Sequence, residues 1–229
     1  MKTIISDQTA INQQAAQRIR ELLGAKPDAA LALSANPQLT GLYAELSRLC
    51  ARGELSFSRA KLFALCELEG TEFCRNALSE ALLHRVDARP ENCFFPDPVN
   101  AEDYDRLIAQ AGGLSLAVLT LGSNGRFGWN EPATPFDSLT HLQRLAPATR
   151  RELAAALGGE ENVPARGVTM GIRTVTRAEE IMVLAFGEAQ ADPVFRMLYG
   201  RNDSVVPAAF LQLPANVTLF ADEAAAKKL

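Results

Sequence analysis

The 229-residue chain is 48% hydrophobic and 22% charged, with a formal net charge of −4 at pH 7. That composition suits one ordinary α/β core, and the slight acid excess without a basic stripe excludes the electrostatic footprint of a nucleic-acid binder. Four cysteines without a Cys-x-x-Cys pair and only two histidines argue against a zinc site, and no apolar run reaches membrane-spanning length.

In chain order, residues 3–5 read as a first strand, and Asp7 as the N-cap of a helix whose stripe is Ile11, Ala15, Ile19, Leu22 and Leu23, stopped at Gly24. Residues 29–33 are a second, buried strand. Residues 34–39 turn into a helix marked by Leu39, Leu42, Tyr43, Leu46 and Leu49. Residues 61–66 form a third strand, followed by a helix over 71–83, a short strand at 93–95 and a helix from Asn100 or Ala101 to Ala111. Residues 114–121 are apolar apart from Ser115 and Thr120, as expected of a strand buried on both faces. A lid is expected over 133–146 and a helix over 151–157. Strands are expected at 167–172, 178–186 and 217–220, and a terminal helix over 221–229. Strands alternating with helices predict a doubly wound, mainly parallel sheet flanked by helices, with residues 1–229 as a single α/β domain. Residues 1–6 run directly into polar sequence, so no secretory h-region is read there, and free thiols fit a cytoplasmic setting.

After the central strand, Gly122, Gly125 and Gly128 recur at every third residue and lead to Glu131, the one carboxylate of the loop. Glycines let a backbone turn sharply and bring N–H groups close to a ligand. In an open α/β sheet, ligands bind beyond the carboxyl ends of the strands. A plain strand-to-loop turn with a solvated Glu131 is the competing reading, since glycine spacing alone is a weak motif.

The run LGSNGRFGWNEP, residues 121–132, resembles the active-site signature of the glucosamine-6-phosphate deaminase family, whose superfamily also holds galactosamine-6-phosphate isomerases and 6-phosphogluconolactonases. The glycines and Asn130, Glu131 and Pro132 match the signature. Asn124 stands where the family has Asp, and Arg126 where it has His. The resemblance covers the chain in order and implies the same Rossmann-like fold, a sugar-phosphate substrate, no metal and no cofactor, and a possible homo-oligomer. Ser34, Ala35 and Asn36 replace the family's glycine-bearing phosphate turn, with Pro37 removing an N–H donor. Asn36 is still able to take a left-handed conformation. Cys66 occupies the place of the Asp that moves the C2 proton, with Glu67 retained beside it. Gln190 replaces the phosphate-gripping Lys, and Pro214 a usual His.

These departures decide the chemistry expected. Arg126 stays protonated and cannot act as a general acid or base; it binds an anion, pairs with Glu131 or faces solvent. Cys66 is either a thiol of lowered pKa or an inert buried residue. Glu67 and Glu69 are fallback carboxylates, and His141 is the candidate to replace the missing histidine. The ligand-binding candidates are Ser34, Ala35, Asn36, Gly122, Gly125 and Gln190. Three function classes follow. One is a deaminase, isomerase or lactonase relative that still turns over a sugar phosphate in carbohydrate metabolism through Glu131. The second is a non-catalytic sugar-phosphate sensor. The third is a partner subunit of an active homologue.

Overall fold

The computed structural model describes residues 1–99 and 101–229. Strand β1 (Lys2–Ile5) leads to helix α1 (Gln8–Ala25), capped as expected by Asp7, whose side chain accepts from the Ala10 N–H at 2.9 Å. The helix passes Gly24 by one residue and closes where the Lys26 N–H meets the Leu22 carbonyl at 2.7 Å. Then come β2 (Ala30–Leu33), α2 (Thr40–Ala51), β3 (Lys61–Ala64), β4 (Cys66–Leu68) and α3 (Phe73–Ala81). They are followed by β5 (Cys93–Phe94), α4 (Ala101–Gln110), β6 (Leu116–Leu119), β7 (His141–Arg144) and α5 (Pro147–Leu157). The chain ends with β8 (Arg166–Thr169), α6 (Ile172–Thr176), β9 (Ile181–Ala185), α7 (Ala191–Tyr199) and β10 (Val217–Ala221). The expected helix start at Asn100 lies outside the described residues.

Seven strands form one sheet in the order β1-β10-β9-β6-β2-β3-β5, with every pairing parallel. From β2 the chain winds outward through β3 to β5. It then returns to β6 on the other side of β2 and winds the opposite way through β9 and β10. The order therefore reverses between β2 and β6, and in open α/β sheets ligands bind at such a point, beyond the carboxyl ends of the strands. Both strands are fully buried, with alternate residues serving opposite faces. Leu31, Leu33, Leu116 and Val118 join α1 and α2 in one core, whereas Ala30, Ala32, Ala117 and Leu119 join α4 and α7 in the other.

A second, antiparallel sheet, β4-β8-β7, sits at the carboxyl edge and changes several expectations. Cys66 does not end the third strand. That strand stops at Ala64, and Cys66 begins β4, paired with Thr169. The segment expected as a lid contains β7 and is anchored by its pairing to β8. Residues 167–172 divide into the end of β8 and the start of α6. Helix α5 begins at Pro147, four residues before the expected start, because proline suits a first helical position whose N–H has no partner. Residues 222–229 form turns, not a helix, and are tied down by the pairs Lys227–Glu188 and Lys228–Asp192.

Candidate functional site

The loop after β6 folds on its own backbone. The Gly125 N–H bonds the Gly122 carbonyl, and the Gly122 N–H bonds the Arg126 carbonyl, both at 2.9 Å. Gly125 has φ 80° and Gly128 φ 53°, left-handed values that other residues adopt under strain. A Cβ at Gly128 would also lie 2.6 Å from Thr169 Oγ1. The loop after β6 carries Glu131 with only 2% of its surface exposed. Asn124 Nδ2 donates to Glu131 Oε2 at 2.7 Å, and the Ala146 N–H donates to Oε1 at 3.0 Å. Glu131 is thus a fixed, buried carboxylate, not a solvated turn residue. Just beyond it, Ala133 has φ 76°, the single left-handed non-glycine among the described residues.

Arg126 resolves differently from each reading that paired it with Glu131 or left it in solvent. It is 8% exposed, and its partner is Glu152 of α5, at 2.7 Å from Nη2. Nε donates to Thr149 Oγ1 at 2.8 Å and Nη1 to the Gly128 carbonyl at 2.8 Å. The guanidinium lies 5.0 Å from the Trp129 ring centroid and packs over Gly122, where a Cβ would come within 2.8 Å of Nε. Glu152 also accepts from the Ser123 N–H at 3.0 Å and from the Ser123 hydroxyl. Arg126 therefore bolts the glycine loop to α5.

Cys66 is buried in an apolar cluster with Cys74, Trp129 and Leu145, against which Ala35 packs. That cluster joins the β2 turn, the start of β4 and the glycine loop. A hydrogen bond with Cys66, followed by burial, pushes the Cys74 thiol up. Glu67 is not a free carboxylate. Oε1 accepts from the N–H groups of Leu68 and Cys74, and Oε2 from that of Arg75, all at 2.8 Å. It thus anchors the first turn of α3. Glu69 is paired with Arg166, 2.6 Å from Nη2.

The turns after β2 and β9 lie side by side, linked by the Phe186 N–H to Gln38 Oε1 at 3.3 Å. Ser34 and Gln190 are both buried there. Asn36 is extended, with φ −118°, instead of left-handed, and its side chain accepts from the Gln38 N–H at 2.9 Å. It thereby uses one of the donors an anion would need. Gln190 Oε1 is buried without a hydrogen-bond partner among the described residues.

His141 is not joined to Glu131. Nδ1 faces the Leu139 carbonyl at 2.8 Å and Nε2 faces Gln143 at 3.1 Å. It lines a cavity of about 750 Å³ with Asp105, Arg106, Leu114 and Arg177. A second cavity of about 750 Å³ lies beside Glu67, between Arg75, Phe95 and Asp97. No group of three His, Cys, Asp or Glu residues that would hold a metal occurs among the described residues. No described helix is long and apolar enough to cross a membrane.

Thr149, Glu152 and the Ala146 N–H also belong to the site. A signal existed for the first two, since residues three apart share one helix face. A helix expected only from residue 151 leaves Thr149 outside that face.

No family model matches the sequence. The glucosamine-6-phosphate deaminase of Hahella chejuensis is 34% identical over 240 aligned residues, covering 100% of this chain and 92% of that protein. That of Bacillus velezensis is 34% identical, covering 94% of each. Among solved structures, a monomeric glucosamine-6-phosphate deaminase superposes with a TM-score of 0.95 at 28% identity, covering 100% of both chains. The 6-phosphogluconolactonase of Leishmania guyanensis shares the fold, with a TM-score of 0.78 at 18% identity.

Proposed function

The chain belongs to the glucosamine-6-phosphate deaminase family, and from that premise we propose that it binds a hexosamine 6-phosphate or related sugar phosphate beyond the carboxyl ends of β2 and β6 and acts on it slowly. The observation that carries this reading is Glu131. It is a buried carboxylate, fixed by Asn124 and the Ala146 N–H, on the glycine loop where the winding of the sheet reverses. Glu131 is the group assigned to proton transfer. Asn124 and the Ala146 N–H orient it by donating to one oxygen each.

Slow turnover follows from the neighbouring groups. General acid–base work needs a group that titrates near the working pH, and Arg126 stays protonated. Cys66, packed against Cys74 and Trp129, offers a thiol where the resembling family has a carboxylate. Loss of one positioned acid or base lowers a rate by roughly 10²–10⁴-fold. The reading takes residues 1–229 as one domain, working in the cytoplasm without metal or cofactor. Binding without turnover is the second reading, favoured by the ties of Arg126 to Thr149, Gly128 and Glu152.

The test is a panel of hexose and hexosamine 6-phosphates and 6-phosphogluconolactone, followed for ammonia release, ketose formation, lactone hydrolysis and melting shift. A slow reaction abolished by Glu131→Gln supports the first reading. A melting shift without any product supports the second. Turnover unchanged in Glu131→Gln would remove Glu131 from the chemistry.

A further inference from the structure

We propose that Ser123 and Arg126 form an anion cradle which the Glu152 carboxylate fills and which a phosphate monoester takes by displacing it; the substrate class rests on the function proposed above. Three donors converge on the one carboxylate. The Ser123 N–H reaches Oε1 at 3.0 Å, the Ser123 hydroxyl reaches the same oxygen, and Arg126 Nη2 reaches Oε2 at 2.7 Å. A backbone N–H, a hydroxyl and a guanidinium are the donor set with which proteins hold phosphate. A second cation stands behind the loop, since Arg196 Nη2 donates to the Ser123 carbonyl at 2.8 Å.

The two sides of this pair differ in freedom. The Arg126 side chain is 9% exposed and held independently by Thr149 Oγ1, the Gly128 carbonyl and the Trp129 ring, so it keeps its aim when Glu152 leaves. The Glu152 side chain is 34% exposed and can swing into water. A phosphate monoester carries roughly −1.5 to −2 at pH 7, so it replaces one negative group with a stronger one. The turns that the family resemblance assigns to phosphate lack this equipment. Asn36 occupies the Gln38 N–H, and Gln190 brings no charge.

Inorganic phosphate, glucosamine 6-phosphate and, as the neutral control, glucosamine are titrated calorimetrically into the wild type, Glu152→Ala and Arg126→Gln in chloride-free buffer. Emptying the cradle is expected to tighten phosphate by up to about fivefold, the factor released when an exposed ion pair no longer competes. Arg126→Gln is expected to abolish that binding. Should Glu152→Ala fail to fold, Glu152→Gln keeps the shape, weakens the competition, and must shift phosphate in the same direction. Equal phosphate affinity in the wild type and the Glu152 variants overturns the cradle. Glucosamine 6-phosphate bound equally by all three proteins would overturn it while leaving the proposed function standing. Phosphate tightened by Glu152→Ala without any sugar-phosphate binding would keep the cradle and sink the proposed function.

Discussion

Arg126 shows what a single side chain can settle. Its guanidinium serves three acceptors on two elements, Thr149 and Glu152 on α5 and the Gly128 carbonyl in its own loop. Lysine keeps the charge but has one ammonium on a flexible stem, so it cannot reproduce a planar fork. Arg126→Lys is therefore expected to lower stability by about 1–3 kcal/mol, the scale of one or two lost hydrogen bonds to a buried group. Urea midpoints of the two proteins measure this, and coincident midpoints would mean that the bolt between loop and helix is dispensable. The sequence made Arg126 and Asn124 stand out as departures, and it made Glu131 stand out as the loop's carboxylate. It did not reveal that Asn124 and Glu131 bond each other while Arg126 turns away to Glu152. Such pairing depends on side-chain reach across a loop whose turns are set by Gly125 and Gly128, and residue identity alone does not encode it.

The elements were legible in proportion to their length and periodicity. Helix α1, with its Asp7 cap, and the buried strands β2 and β6 follow directly from pattern. The small sheet did not, because β4, β7 and β8 are short and pair across the chain, Cys66 with Thr169 and Thr169 with His141. Helix α7 also went unread. Pro193 falls within its first turn, where a missing N–H breaks no intrahelical bond, so the residue that suggests a break is tolerated. Glu67 was misassigned for a related reason. It lies in β4, yet its carboxylate turns to the first-turn N–H groups of the next helix, which have no partner within that helix. Anions are favoured at that end of a helix. Glu67→Gln keeps one carbonyl acceptor but aims an amide N–H at a donor. The expected loss is about 1–2 kcal/mol. Hydrogen exchange locates it: the amides of Cys74 and Arg75 should exchange faster, with β3 protected as before. Uniform acceleration across the chain would instead indicate a global defect unrelated to the α3 cap.

On the scale of the whole molecule, the alternation of strands and helices was enough to give a doubly wound parallel sheet, but not the strand order that puts its switch point between β2 and β6. What closes the far side is less visible in sequence. Asp222, just after β10, accepts from the Gly187 N–H at 3.0 Å, from the Ala225 N–H at 2.8 Å and from Gln8 Nε2 at 2.9 Å. One carboxylate thus ties together the turn after β9, the C-terminal turns and the start of α1. Burial acts to raise its pKa, but the hydrogen bonds from Gln8, Ala225 and Gly187 outweigh it and hold Asp222 below the usual carboxylate value. Because the folded pKa is depressed, the unfolded chain binds the proton more readily, and stability rises with pH across the interval between the two values. The contribution is complete above the unfolded pKa of about 3.9 and is lost as pH falls through the lower folded one. Asp222→Asn should therefore be less stable than the wild type at neutral pH by about 1–2 kcal/mol, as for hydrogen bonds to a charged acceptor. The gap should narrow as the wild type is acidified below about pH 4. Urea unfolding of both proteins between neutral pH and pH 3 reads this directly. Asp87 is also held low, through Ser56, Phe57 and Cys50, and gives the same background slope in both proteins. The difference between the two curves isolates Asp222, and a gap of constant size down to the lowest pH would show that its charge plays no part in the clamp.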